Sequence, residues 1–282
     1  MKNFLKNTKT ILSNPEIATL YSKWSLQKLI GLDPKIKIPS GGLLGNLRHF
    51  SKFYYVNSSI NNMTLKREQK LVQSLIPDGG CAFDIRANVG VFSIMMALSC
   101  NNIDIHAFEP IPSIFSILQS NIQDNHLENN IIQNKLAASN VCGYINLTDR
   151  LDSPCQNKIQ ISENYQSGNV FSDCITIDVY CYQKNVDFIH FVKIDVEGAE
   201  LLVLQGAQTM LLNKKIGALL IEVIPQAVID MGLSLEDLVN YINGMGYKCF
   251  KVNEDGTKGK SFSLEDLRQF KLEENVLLLP SN

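Results

Sequence analysis

The ten residues Cys81–Gly90, CAFDIRANVG, constrain the fold of this chain more than any others. A short apolar run carries an acid near its end, turns through small residues and passes straight into the apolar stretch Val91–Leu98. Open α/β sheets build their ligand edge from such a strand, turn and helix. The start of the helix leaves N–H groups unpaired and carries partial positive charge, so it attracts an anionic group. Asp84 at the strand end can accept hydrogen bonds from an ammonium or a hydroxyl, and Gly90 allows close approach of backbone to a ligand. An ordinary strand-to-helix connection has the same pattern, so this stretch alone assigns no function.

Two further stretches narrow the choice. Asn102–Pro110, NIDIHAFEP, reads as a second strand ending in an acid, with Glu109 where a carboxylate pairs with ribose hydroxyls. His190–Glu200, HFVKIDVEGAE, reads as a later strand ending in Asp195 and Glu197, with a helix behind it. Three strands that each end in an acid should converge at the carboxyl edge of one parallel sheet, where such sheets bind ligands.

DIRANVGVFS, AFEP and VKIDVEGAELLVLQGA resemble the motifs of FkbM-type methyltransferases, over roughly residues 68–225. The resemblance implies a Rossmann-like class I methyltransferase fold, α/β with a doubly wound, mostly parallel seven-stranded sheet. It also implies S-adenosyl-L-methionine (SAM) as cofactor. On that reading Asp84, Arg86, Ala87, Asn88 and Gly90 hold the methionyl end. Glu109, followed by Pro110, takes the ribose, and Ala138 and Ser139 flank the adenine. Asp195 lies where methyl donor and acceptor meet, and Asp195 and Glu197 are the catalytic candidates. Glu200, His49 and His190 are weaker candidates for the base. Family members carry Gly where this chain has Arg86.

The 282 residues suffice for one large α/β domain with an appendage. The boundary is expected near residue 60. Residues 1–60 carry nine Lys/Arg and two Asp/Glu, a net +7 on a chain of net −2. This basic, helical N-terminal arm suits contact with an anionic surface, although a solvated helix face has the same composition. Residues 33–42 read as a linker and residues 149–173 as a long polar loop or lid. Residues 174–182 read as a strand and turn, and 199–212 as one helix. The aromatic Phe50–Tyr55 reads as core or pocket mouth and Glu200 as a surface acid; Glu68 reads as a solvated helix acid, although the resemblance implies an acid of this helix near the cofactor.

Seven cysteines without a C-x-x-C pair suit buried reduced thiols in a cytoplasmic protein. Four histidines without H-x-x-x-H spacing give no metal site. No stretch approaches the ~20 apolar residues of a membrane span.

The expected activity is O-methylation of a hydroxyl on a sugar, glycan or secondary metabolite. The expected partner is thus a small-molecule or glycan acceptor rather than nucleic acid. The sequence names neither the acceptor nor the oligomeric state. Two other readings stand beside this one. A methyltransferase-like binding module, degenerate at Arg86, would hold ligand without catalysis. A Rossmann oxidoreductase would need G-x-G-x-x-G after the first strand, where this turn has a single Gly.

Overall fold

The computed structural model describes residues 36–45, 62–148, 169–263, 266 and 274–281. Residues 1–35 of the arm expected to be helical, Phe50–Tyr55, His49 and the loop residues 149–168 lie outside the described residues. The elements run in order from a short hairpin, β1 (Ile36–Lys37) and β2 (Leu43–Leu44), to α1 (Asn62–Leu75), β3 (Cys81–Ile85), α2 (Val91–Ser99), β4 (Asp104–Phe108) and α3 (Pro112–Asp124). Next come β5 (Ile131–Asn134), β6 (Ala137–Ala138), β7 (Gly143–Thr148), β8 (Asn169–Ile175), α4 (Ile177–Lys184) and β9 (Ile189–Ile194). The C-terminal part holds α5 (Glu200–Gln205), α6 (Gln208–Leu212), β10 (Ile216–Val223), α7 (Pro225–Asp230), α8 (Leu235–Gly244), β11 (Tyr247–Val252), β12 (Lys258–Ser261) and β13 (Glu274–Pro280).

The main sheet has the order β12-β11-β13-β10-β9-β3-β4-β5. Strands β10, β9, β3, β4 and β5 are parallel, and β13 enters antiparallel between β10 and β11. The seven expected strands are there, and β12 adds an eighth at the edge. Its sequence, KGKS, carries no apolar alternation, so nothing in it reads as a strand.

The central strands are apolar on both sides because helices cover both faces, as parallel sheets require. One core joins Ala82, Phe191, Ala218 and Leu220 of the sheet to Val72 of α1, Met95 of α2 and Leu118 of α3. The other joins Phe83, Val192, Leu219 and Leu278 to Tyr180 of α4, Leu204 of α5 and Leu238 of α8. Helix starts follow sequence signals: Pro112 opens α3, and the Ser234 hydroxyl accepts the Asp237 N–H at 2.9 Å to cap α8.

Several expectations are corrected. The segment read as a linker carries the β1–β2 hairpin, whose Ile38 and Leu44 join the first core. Asn121 of α3 and Asn125 just after it hold its backbone, accepting from the N–H groups of Gly45 and Leu43 at 2.7 and 2.8 Å. The strand expected over 131–136 stops at Asn134, and Ala137–Ala138 join a second sheet of order β6-β8-β7. Residues 169–173, read as loop, are strand β8 paired with β7. Residues 177–184 form a helix, capped by Thr176, rather than a turn.

The helix expected over 199–212 is broken at Gly206. A Cβ at Gly206 would run into the Ser139 carbonyl oxygen. The helix break and the β6 turn are thus packed backbone against backbone. Gly206→Ala should cost about 1–3 kcal/mol, the usual range for forced overpacking. Urea unfolding measures it, and an unchanged midpoint would mean that the two segments part freely.

Candidate active site

The turn after β3 is built on left-handed backbone. Arg86 and Asn88 have φ of 66° and 53°, and Gly90 has φ of 93°. That φ favours glycine at position 90, and a Cβ there, 2.7 Å from Leu118 Cδ1, would also displace the Leu118 side chain. The Ala87 N–H donates to the Phe108 carbonyl at 2.8 Å, which ties the turn to the end of β4. The Asn88 side-chain oxygen is buried without a hydrogen-bond partner.

Glu109 follows β4 and is buried. Its Oε2 accepts the Asn88 N–H at 3.0 Å, and its Oε1 accepts the Ile111 N–H at 2.9 Å. Burial pushes the carboxyl up to about 7, against the pull of these N–H groups and of Arg86. Glu109 opens on a cleft that it shares with Ile85, Arg86, Pro110 and Ile111. The remaining walls are Leu136–Ala138, Ile145, Leu147 and Val196. The cleft is therefore a mainly apolar slot with the Glu109 carboxyl and Arg86 in its wall. Ile145 and Leu147 alternate along β7, so the second sheet turns its apolar face to the slot.

On the α1 side of the sheet lies a buried polar row. Asp84 accepts the Ser93 hydroxyl of α2 and stands beside Lys193, its partner in the β3–β9 register. Burial raises the Asp84 carboxyl to about 6. The Lys193 Nζ donates to Asn275 Oδ1 at 3.1 Å, and Asn275 Nδ2 donates to Glu68 Oε1 at 2.7 Å. Glu68 is 5% exposed, not solvated as its helical position suggested, and burial raises its carboxyl. Burial by itself would lower the Lys193 ammonium, but Asp195, Glu222, Glu68 and Asp84 outweigh it and hold it above its ordinary value.

Asp195 and Glu197 follow β9. The Arg86 guanidinium reaches across to them, with Nη1 at 3.1 Å from the Asp195 carbonyl, 3.4 Å from Asp195 Oδ1 and 3.3 Å from Glu197 Oε1. The Asp195 side chain keeps 34% of its surface exposed, against 12% for Arg86 and 15% for Glu197. Burial raises the Asp195 carboxyl, but Lys193, Arg86 and a hydrogen bond with Glu222 outweigh it and leave it below its ordinary value.

The methyltransferase FkbM domain model matches residues 84–249, more than half of the chain. The chain belongs to the FkbM methyltransferase family. It is a SAM-dependent methyltransferase. Among solved structures it is similar to precorrin-6y C5,15-methyltransferase from Geobacter metallireducens, 11% identical, covering 77% of this chain and 87% of that one, with a TM-score of 0.39. It is also similar to TYW2 from M. jannaschii in complex with AdoMet, 14% identical, covering 87% and 84%, with a TM-score of 0.38. An rRNA methylase from Streptococcus thermophilus is 11% identical, covering 76% and 94%, with a TM-score of 0.40. No curated protein matches the sequence.

The residues of the cleft fit SAM. A buried carboxyl in the wall of an apolar slot suits a ribose and a flat adenine ring, and the unpartnered oxygen of Asn88, whose N–H meets that carboxyl, can accept a donor. Glu109 would hold the ribose hydroxyls, with Pro110, Ile111 and Ala138 along the base. The turn from Arg86 to Gly90 and Asp195 would hold the methionyl end, whereas Asp84, expected there too, is buried against Ser93. SAM supplies a sulfonium methyl group for in-line displacement. The protein's part is to align an acceptor with that methyl group and take up the acceptor's proton.

Of the sequence candidates, Arg86, Glu109, Pro110 and Ala138 line the cleft together. Asp84 faces α2, and Ser139 is buried with its N–H donating to the Ile175 carbonyl. His190 stands at the opposite end of β9, where its Nδ1 accepts the Cys81 N–H at 3.0 Å, too far along the strand to serve as base. Glu200 is fully buried, not a surface acid: its Oε1 accepts the Gly198 N–H at 3.1 Å, and burial raises the carboxyl to about 7. The walls from Leu136, Ile145, Leu147 and Val196, and the places of Glu222 and Asn275 in the polar row, escaped the sequence reading. The alternation Ile145-x-Leu147 pointed to the walls, whereas Asn275 lies too far along the chain to be paired with Glu68 by pattern.

Arg86 carries opposing energies. Left-handed backbone costs a non-Gly residue about 1–2 kcal/mol. Its guanidinium also occupies the acids that an ammonium group would use. Arg86→Gly is therefore expected to tighten SAM binding up to about tenfold, which is roughly 1.4 kcal/mol. Titration calorimetry on both proteins decides it, and weaker binding by the Gly variant would make Arg86 a ligand of the cofactor.

Proposed function

We propose that this methyltransferase methylates a hydroxyl group on a sugar, glycan or secondary metabolite. One observation carries the reading: Asp195 is partly exposed and set at the strand tip beside the cofactor cleft, with the Arg86 guanidinium against it. A carboxylate so placed can orient a hydroxyl and take its proton. Asp195, Glu197 and Glu109 also give this edge an acidic character that repels a phosphate backbone, which favours a small molecule or glycan over nucleic acid.

The test is SAM turnover against a panel of neutral saccharides and polyphenols, followed by S-adenosylhomocysteine release and by mass analysis of the products. Methyl ethers support the reading. Methylated amines, or turnover on RNA alone, would overturn it. Cofactor binding without transfer to any acceptor would favour a binding module held inactive by Arg86.

A cytoplasmic site of action is part of the same proposal. Six free cysteines among the described residues suit a reducing compartment. Among those residues no helix is long and apolar enough to cross a membrane. The basic residues that precede the β1–β2 hairpin would meet an anionic surface.

A further inference from the structure

We propose that Glu200 is the positioning residue of this site. Acting through the Glu197–Gly198 peptide, it holds Asp195 and Glu197 at the acceptor side of the cofactor cleft. This role rests on the O-methylation reading above.

The turn that carries the chain from β9 to α5 takes left-handed backbone twice in succession, at Glu197 with φ of 55° and at Gly198 with φ of 104°. That conformation is cheap for Gly198 but costly for Glu197, so the turn needs a hold from outside. Three contacts supply it. The Arg86 guanidinium meets the Asp195 carbonyl at 3.1 Å and Glu197 Oε1 at 3.3 Å. The backbone of α7 closes on Gly198, where a Cβ would run into the Ala227 carbonyl oxygen. Glu200 Oε1 accepts the Gly198 N–H at 3.1 Å, which fixes the plane of the peptide that follows Glu197.

The Glu200 bond is made at a cost. The residue is fully buried, and its Oε2 has no hydrogen-bond partner. A buried polar atom left unpaired is unfavourable and calls for a reason. An acid that only balances the positive start of a helix works as well in solvent. Glu200 instead reaches back out of α5 to the turn. Strain and orphaned polar groups gather where one backbone conformation must be held for function.

The turn is also part of the cleft. Val196, between the two acids in sequence, stands in its wall beside Arg86. A shift of the 197–198 peptide would therefore move Asp195 against an acceptor and leave Glu109, on the β4 side, in place. A misplacement of about 1 Å at a reacting group costs up to about a hundredfold in rate.

The test uses the full chain with Glu200→Gln, Glu200→Asp and Glu200→Ala. Gln keeps the volume and an acceptor for the Gly198 N–H. Asp keeps the charge but withdraws it by one methylene, and Ala removes both. With any saccharide or polyphenol that is turned over, kcat per S-adenosylhomocysteine-binding site should stay within about threefold of wild type in Glu200→Gln. It should fall roughly ten- to a hundredfold in Glu200→Asp and Glu200→Ala. S-adenosylhomocysteine affinity should stay within about threefold in all three, so that the loss lies in the transfer step. A merely structural role would lower the urea midpoint and leave kcat per binding site unchanged, and that result would overturn the proposal. Equal losses in Glu200→Gln and Glu200→Asp would also overturn it. If the Ala variant does not fold, the Gln and Asp variants decide alone.

Nitrogen-15 NMR of the Arg86 guanidinium, assigned with Arg86→Lys, reads the same hold without an acceptor. The bridge to Glu197 should restrain the guanidinium in wild type and Glu200→Gln and release it in Glu200→Asp. Unchanged Arg86 signals in all the variants would overturn the proposal. Release of Arg86 without turnover of any hydroxyl acceptor would leave the positioning role standing and remove the O-methylation reading instead.

Discussion

Lys193→Ala is expected to destabilise the protein by about 3–5 kcal/mol near neutral pH, the usual cost of removing one partner from a buried charge cluster. Lys193 is 6% exposed and is the cation on which Asp195, Glu222, Glu68 and Asp84 all act. The wild-type ammonium is held above its ordinary value, so its contribution is full across the neutral range and is lost only as pH rises through that raised value. In the variant the carboxyls lose their cation and stay protonated to higher pH. Glu68 and Asp84 are raised already, Asp84 to about 6. Charging them then costs more, so the deficit should grow as pH rises from about 5 to 8 and shrink in acid. Urea unfolding of wild type, Lys193→Ala and Lys193→Met at both ends of that window measures it. Met restores most of the packing, so it separates lost charge from lost volume. Equal losses at both pH values would mean that packing rather than charge holds the row.

The parallel half of the sheet was legible because its signal is local. Each of β3, β4 and β9 is a short apolar run followed by a turn and a helix, and each lies within a few residues of an acid. The acids Asp84, Glu109 and Asp195 stand at the carboxyl edge for the same reason. What failed was everything decided by distant partners. Glu68 has a helix-surface spacing, and only its pairing with Asn275 explains its burial. Gly206 breaks a helix that propensity would continue, because the backbone of Ser139 packs against it. Strand β12 has no apolar pattern and exists because β11 offers an edge. Arg86 was placed correctly in the turn, but its reach to Asp195 and Glu197 depends on how β3 and β9 lie side by side.

Glu109→Ala should weaken SAM binding by about 1–3 kcal/mol, the range for a lost charge-assisted hydrogen bond. The carboxylate already fixes the Asn88 and Ile111 N–H groups, so the variant also leaves two donors of the site without their acceptor. Glu109→Gln keeps an acceptor and isolates the charge. The pH dependence gives the sharper test, because one residue drives two opposite trends. Its folded-state carboxyl is raised to about 7 by burial, above its unfolded value. Its contribution to the stability of the free protein is therefore full below the unfolded value and is lost as pH rises through about 7. Cofactor affinity runs the other way, since the ionised carboxylate is the better acceptor for ribose hydroxyls. Wild-type affinity should climb between about pH 6 and 8, while both variants stay flat over that span. Calorimetry in buffers of different ionisation enthalpy should show proton release on binding by the wild type and none from the variants. A dissociation constant within threefold of wild type in Glu109→Ala, with the pH trend intact, would remove Glu109 from the cofactor site.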